Sequence, residues 1–443
     1  MKLWNKGVTL AKEIEQFTIG KDRDLDLILA QYDVLGSIAH ARMLQSVGLL
    51  DQKELKALHN ELKIIYQQIK AGSFQIDAGV EDIHSQIELL LTERLGEVGK
   101  KIHTGRSRND QVLLDIKLYV RSEIKNLVLK VQHFFEQLLS LSESHKEILM
   151  PGYTHLQIAM PSSIGLWFAA YAESLVDDLI VMLAVYRIVN KNPLGSAAGY
   201  GSSLPLNRQL TAQLLGFETL NFNVMYAQMT RGKIEKLVST AIASIAATLA
   251  KMCMDICLFT GQNFAFFSFP EQYTTGSSIM PHKNNPDVFE LIRAKCNRLQ
   301  ALPNEIQLIL TNLPSGYHRD FQLLKENFFV VFKELTSCID MMIYMLKDIQ
   351  INKTILNDPK YKYIKSVEAV NQLVMQGIPF RNAYQKIAQN IKNGEYQTPL
   401  DIQYTHEGSI GNLSNDKIQE EMKNVIKQFD FDKAEIALSR LLE

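Results

Sequence analysis

Four polar segments of this sequence carry side chains that could do chemistry. They are "HTGRSRNDQ" (His103–Gln111), "GYTHLQ" (Gly152–Gln157), "TTGSSIMPHKNNPDVFE" (Thr274–Glu290) and "YHRDFQLLK" (Tyr317–Lys325). Ser107, Asn109, Thr154 and Asn285 are neutral hydrogen-bond donors, and Arg108, Lys283 and Lys325 are cations. Each segment lies at or near a predicted helix end, and a helix N-terminus adds unpaired N–H groups and a positive dipole end that favour anions. In "NNPDVFE", Asn285 can cap the helix, Pro286 suits its first turn and Asp287 complements the dipole. A site made of these groups suits a substrate with several carboxylates. Taken singly, each residue has a plainer reading. Ser107 and Asn109 can be caps, His155 a structural histidine, Ser277 and Ser278 turn residues, Tyr317 a packing residue, Lys325 a solvated lysine and Glu290 a surface carboxylate. The joint occurrence of four such clusters favours a site.

The elements that must position these groups are long helices. Arg106 to Met150 contains neither Gly nor Pro, and Ile116, Val120, Ile124, Leu127, Val131, Phe134 and Leu138 recur at helical steps. Such a helix would approach ~65 Å. Ser162–Val189 and Lys233–Leu258 behave alike, and the second is apolar nearly all round, which predicts burial on every side. Strand signals are scarce. A mainly α chain follows, with a long-helix bundle whose loops gather at its ends. Three regions are expected: 1–105, an N-terminal helical domain; 106–352, the central bundle; and 353–443, a smaller, mainly helical C-terminal domain.

Composition narrows the class. The 443 residues are 46% hydrophobic and 21% charged with net charge -1, so no global field draws the chain to nucleic acid or membrane. The N-terminal "MKLWNKGVTLAKEIE" has no apolar signal core, and Lys251 and Asp255 interrupt the most apolar helix, so a cytoplasmic protein is expected. Cys253, Cys257, Cys296 and Cys338 lack metal-site spacing and read as buried free thiols. "GSAAGYGSS" lacks the lysine and spacing of a phosphate loop, and neither metal nor cofactor is expected.

"GSSIMPHKNNP" resembles the signature loop of the fumarase/aspartase superfamily, whose members release fumarate from a succinyl group. "HTGRSRNDQV", "GYTHLQ", "YHRDFQ", "VEDIHSQIE" (Val80–Glu88) and "GIPFRNAY" (Gly377–Tyr384) resemble its argininosuccinate lyase branch. The resemblance spans most of the chain. It implies a three-domain fumarase/aspartase-like subunit, a homotetramer sharing the central bundle, and active sites drawn from several subunits. It implies the small-molecule substrate argininosuccinate, cleaved by β-elimination to arginine and fumarate. Ser277, His155, Lys283 and Glu290 match catalytic positions, Glu290 as the partner of the His155 imidazole. Ser107, Arg108, Asn109, Thr154, Asn285, Tyr317, Gln322 and Lys325 match substrate contacts. Whether Ser277 or His155 takes the proton stays open at this level. So do two other readings: a different fumarate-releasing lyase, such as adenylosuccinate lyase, and a non-catalytic structural homologue.

Three positions depart from the family pattern. "WNKGV" (Trp4–Val8) stands where "WGGRF" is usual, Asp22 where a serine is usual, and Leu323 and Leu324 where an acidic pair is usual. All three concern the grip on the arginine end of the substrate.

Overall fold

The computed structural model describes residues 11–77, 79–399 and 404–443; the Trp4–Val8 departure lies outside them. The first helices are α1 (Lys12–Ile19), α2 (Asp22–Ser46), α3 (Gln52–Lys70), α4 (Ile83–Leu95) and the single turn α5 (Glu97–Lys100). The long helices follow: α6 (Arg108–Ser144), α7 (Ile164–Val189), α10 (Lys233–Thr260), α11 (Asp287–Ile309) and α12 (Leu324–Leu346), with the short α8 (Arg208–Leu214) and α9 (Val224–Met229) between α7 and α10. Helices α13 (Ser366–Met375), α14 (Phe380–Asn393), α15 (Asn415–Lys427) and α16 (Phe431–Leu442) complete the chain.

The bundle forms because α6 buries the stripe its period predicts. Ile116, Val120, Ile124, Leu127, Val131, Phe134 and Leu138 are each at most 1% exposed. They pack within one hydrophobic core to which α7, α10, α11 and α12 also contribute. Helix α6 is shorter than its sequence run suggests. Its 37 residues span ~55 Å, ending at Ser144. The chain then enters a hairpin, β1 (Leu149–Thr154) and β2 (Gln157–Ser163), before Ser163 caps α7 through its Oγ, 3.0 Å from the Leu166 N–H. The missing glycine and proline therefore allowed the helix to run on but did not require it. Other strands among the described residues are only two residues long.

Helix α10 is enclosed only in part by this subunit. By length and composition it could cross a bilayer, yet half of its most apolar window is buried, against α7, α11 and α12. The remainder is not enclosed within this subunit: Ala247 and Met254 are exposed and Leu237 and Ala243 half-buried. Neighbouring helices also leave apolar groups open, including Ile180, Leu291, Leu308 and Val330.

The end of α6 and the start of α7 meet at Gly165. The Ser142 hydroxyl donates to the Gly165 carbonyl at 2.8 Å, and a Cβ on Gly165 would sit 2.5 Å from the Lys146 Cα and 2.6 Å from the Ser142 carbonyl oxygen. These are backbone atoms, which cannot rotate away. Gly165→Ala should therefore lower unfolding stability by about 1–3 kcal/mol, read as a shift of the urea midpoint; an unchanged midpoint would contradict the close crossing.

Candidate active site

A cleft of about 260 Å³ lies where α2, α4, α6 and the segment entering α12 converge. Two helix starts build it. Asp82 caps α4, its Oδ1 accepting from the Ser85 N–H at 2.8 Å and the Ser85 hydroxyl at 2.6 Å. Ser107 caps α6 in a capping box: its Oγ accepts from the Asn109 N–H at 3.3 Å, and Asp110 accepts from the Ser107 N–H at 2.9 Å. Arg108 then ties the two starts together. Its guanidinium lies 3.1 Å from Glu81, 3.0 Å from Asp82 and 2.8 Å from the Ser85 hydroxyl. Glu81 also holds Arg319 at 2.8 Å.

The floor of the cleft is ionic. Lys325 reaches from α12 to two carboxylates of α2, Asp22 at 2.8 Å and Asp26 at 2.5 Å. Burial opposes the Lys325 charge, but the two carboxylates outweigh it and raise its pKa. Beside it, the His84 imidazole is hydrogen-bonded to Asp33 and lies 3.7 Å from Asp115. Burial lowers the His84 pKa less than Asp33, Asp82 and Asp26 raise it, so the net shift is upward. Burial likewise pushes Asp33 up, but His84 and Arg106 hold it below the usual range. Asp115, buried and facing the Asp33 and Asp26 charges, is raised well above that range. Asp33, His84 and Asp115 are of metal-ligand type; in this structure His84 Nδ1 serves Asp33. No local pattern marks this triad, because its members sit on three different helices.

The cleft gathers five of the residues expected from sequence: Arg108, Asn109, Tyr317, Gln322 and Lys325. Their states differ from a row of free donors. Lys325 is 5% exposed and ion-paired rather than solvated. The Gln322 amide donates to the last carbonyls of α1, Thr18 and Ile19, both at 2.9 Å. Tyr317 is 43% exposed and packs edge-on against Phe321. The residues missed by sequence reasoning are Asp26, Glu81, Asp82, His84 and Arg319. The runs "VEDIHSQIE" and "YHRDFQ" contained four of them, but nothing in their spacing marked them as cleft residues.

The other expected residues stand elsewhere in the subunit; none of His155, Thr154, Ser277, Lys283, Asn285 or Glu290 lines this cleft. Thr154 and Gln157 pair across the β1–β2 hairpin, so His155 and Leu156 form its two-residue tip. Both have positive φ, 53° and 58°, and both are exposed. Left-handed backbone without glycine is strained, and such strain concentrates at functional positions. Among the described residues no hydrogen bond or ion pair joins His155 to Glu290, which is exposed in the first turn of α11.

The long polar loop is stapled at its base. Thr275 and Asn285 exchange backbone hydrogen bonds at 3.4 and 2.8 Å. Inside it, the Ser277 Oγ accepts from the backbone N–H groups of Ile279 and Met280 at 3.3 and 3.1 Å. Asn285 does not cap α11 as expected. Pro286 holds the cap position with no side-chain hydrogen bond, while the Asn285 amide turns back to the Gly276 carbonyl at 3.5 Å. The staple draws Asn285 toward Thr275 and away from the helix end. Lys283 is exposed with no carboxylate partner among the described residues. The "GSAAGYGSS" backbone also has an anion partner, though not a phosphate: the Gly195 and Ala197 N–H groups donate to the buried Asp110 at 3.0 and 2.9 Å. Burial nevertheless raises Asp110 to about 6.

Comparison with known proteins gives the family and the fold. A family model described as "Lyase" matches residues 6–301. The chain is 57% identical to an argininosuccinate lyase of Parabacteroides distasonis, covering 100% of this chain and 99% of that one. It is 39% identical to the argininosuccinate lyase of Stenotrophomonas maltophilia over 90% of this chain and 92% of the relative. The solved structure of an EDDS lyase variant with bound fumarate is similar in fold, with TM-score 0.78 and 21% identity over 98% of this chain and 94% of that one.

The ion pair under the cleft has a pH signature. The Asp33 folded pKa is depressed, so its contribution is full above the unfolded value, 3.8, and is lost as pH falls through the folded one. The His84 folded pKa is raised, so its contribution is full below 6.5 and is lost as pH rises through the folded one. The stability gap between wild type and the neutral pair Asp33→Asn/His84→Gln should thus be wider near pH 6 than near pH 9 in denaturant titrations. A gap that widens toward alkaline pH would refute a charged pair.

Proposed function

The chain belongs to the argininosuccinate lyase family of the fumarase/aspartase superfamily, and we propose that it cleaves argininosuccinate to arginine and fumarate with the residues located above. One observation carries the site assignment. Arg108 and Asn109, and Tyr317 and Gln322 some two hundred residues later, converge on a single cleft, although nothing local in sequence requires it.

The reaction is a β-elimination. A base removes a proton from the succinyl carbon beside a carboxylate, and the electron pair moves onto that carboxylate, which becomes doubly charged. The carbon–nitrogen bond then breaks, its pair leaves on the guanidino nitrogen, and a proton completes arginine. Preorganised donors must face the developing charge. Lys283, with no carboxylate partner among the described residues, and Asn285, fixed by the loop staple, supply them, and the nearby start of α11 adds its dipole. Ser277 is the base in this reading. Two backbone N–H groups already point at its Oγ, which favours the alkoxide over the neutral hydroxyl. His155, held out on a strained hairpin tip, then delivers the proton to the leaving nitrogen, with Glu290 orienting its imidazole.

Neither the hairpin tip nor the loop lines the cleft of one subunit, and in this reading the complete site is assembled between copies. The open apolar faces of α10, α11 and α12 support a homotetramer built on the shared bundle. We place the enzyme in the cytoplasm.

Ser277→Ala should abolish fumarate release while leaving the oligomer intact by sedimentation. Lys283→Met should depress kcat by about a hundredfold or more. Near-wild-type turnover of the serine variant, or a lysine variant altered in KM alone, would refute these roles.

A further inference from the structure

The β1–β2 hairpin carries His155, the donor to the leaving nitrogen in the reading above, yet little in the subunit holds it. Residues 154–158 are all exposed. A cavity of about 510 Å³ separates the hairpin from the segment Lys360–Ser366, and Leu156, Gln157, Ile158 and Ala159 line its hairpin side. That flank stands over open space. Apart from bonds at the base, where the hairpin joins α7, one hydrogen bond leaves it among the described residues: the Tyr153 hydroxyl of β1 lies 3.1 Å from the Tyr361 hydroxyl.

The far end of that bond is fixed. Tyr361 is 3% exposed and closes the short turn Pro359–Tyr361, which Asp358 caps by accepting from the Lys360 N–H at 3.0 Å. The Lys360 ammonium donates in turn to the Asn263 carbonyl at 3.1 Å. Asn263 precedes Phe264, whose ring meets the Tyr153 ring edge-on at 5.5 Å. Tyr153 is therefore held twice, by its hydroxyl and by its ring.

We propose that Tyr361, acting through Tyr153, is a positioning residue that sets where the His155 imidazole stands. This role rests on the lyase reading above and adds what keeps its proton donor in place. Only Thr154 separates Tyr153 from His155, and Tyr153 and Thr154 pair in succession with Ile158 and Gln157, so a shift at Tyr153 moves the tip. The tip itself needs an anchor. Positive φ at His155 and Leu156 is strained, and strain persists only where the surroundings impose it. Proton transfer requires hydrogen-bond reach, and misplacement by ~1 Å can cost about a hundredfold. The C-terminal region thereby acts on the chemistry from a distance.

Tyr153→Phe and Tyr361→Phe each remove one hydroxyl and keep the ring. With argininosuccinate, each should lower kcat about tenfold while KM stays within about twofold. The double variant should lose no more than either single one, because both break the same bond. In a His155→Gln background, Tyr361→Phe should cost less than about twofold more, since the hydroxyl acts through that imidazole. A further tenfold loss there would give the bond a role independent of His155 and overturn the proposal, as would unchanged kcat in both single variants. The two single variants test one bond from opposite ends, so loss of fold in one, read by the urea midpoint, leaves the other to decide. Fumarate release separates the two levels. Wild type without it overturns the lyase reading, and His155→Gln with wild-type kcat overturns its proton donor. Release that falls in His155→Gln but in neither phenylalanine variant overturns the anchor alone.

Discussion

The acidic face of α2 sets the geometry on which the site depends. Asp22, Asp26 and Asp33 are spaced to lie on one side of that helix. They meet Lys325 of α12, the backbone N–H of Ile83 and the His84 side chain of α4; through His84 the contact extends to Asp115 of α6. Hydrophobic burial between the same helices is non-directional and would tolerate a shifted register. Buried charges would not, because moving one helix by a turn strands a carboxylate or an ammonium without its partner. The apolar core therefore brings four helices together, and the ionic layer above it fixes how they align. The cleft is the gap this alignment leaves, with Arg108 joining the starts of α4 and α6 across it.

How much of this was legible follows from the range of each signal. Helical period in α6 depends on neighbours three and four residues away, so its buried stripe was readable from Ile116 to Leu138. Its end was not, since His145 and the hairpin after it depend on the packing of Gly165 against Ser142 and Lys146. The polar clusters were legible as motifs, and five of their residues do share a cleft. Their ionisation partners were not legible. Lys325 looked like a solvated helix lysine because nothing nearby in sequence reveals two aspartates about three hundred residues earlier. Asn285 looked like a cap because the local pattern allowed it, whereas the pairing of Thr275 with Asn285 decided otherwise. Helix α10 is the clearest case: its all-round apolarity predicted complete enclosure, and a single subunit encloses only part of it.

That incomplete enclosure and the distribution of charge point the same way. Argininosuccinate carries three carboxylates, and its elimination adds a further charge to one of them. In the cleft of one subunit Arg108, Arg319 and Lys325 all have carboxylate partners, so none is free to meet that charge without breaking an existing pair. Lys283 is exposed and has no carboxylate partner among the described residues, but it stands on the loop outside the cleft. Within one subunit the loop cation thus stands apart from the cleft lining. Bringing a second chain's loop to the cleft would unite them, and the apolar surface left open on α10 and its neighbours offers the free energy for that association. The apolar surface left open on the bundle thus lies on the same helices that flank the loop bearing Lys283.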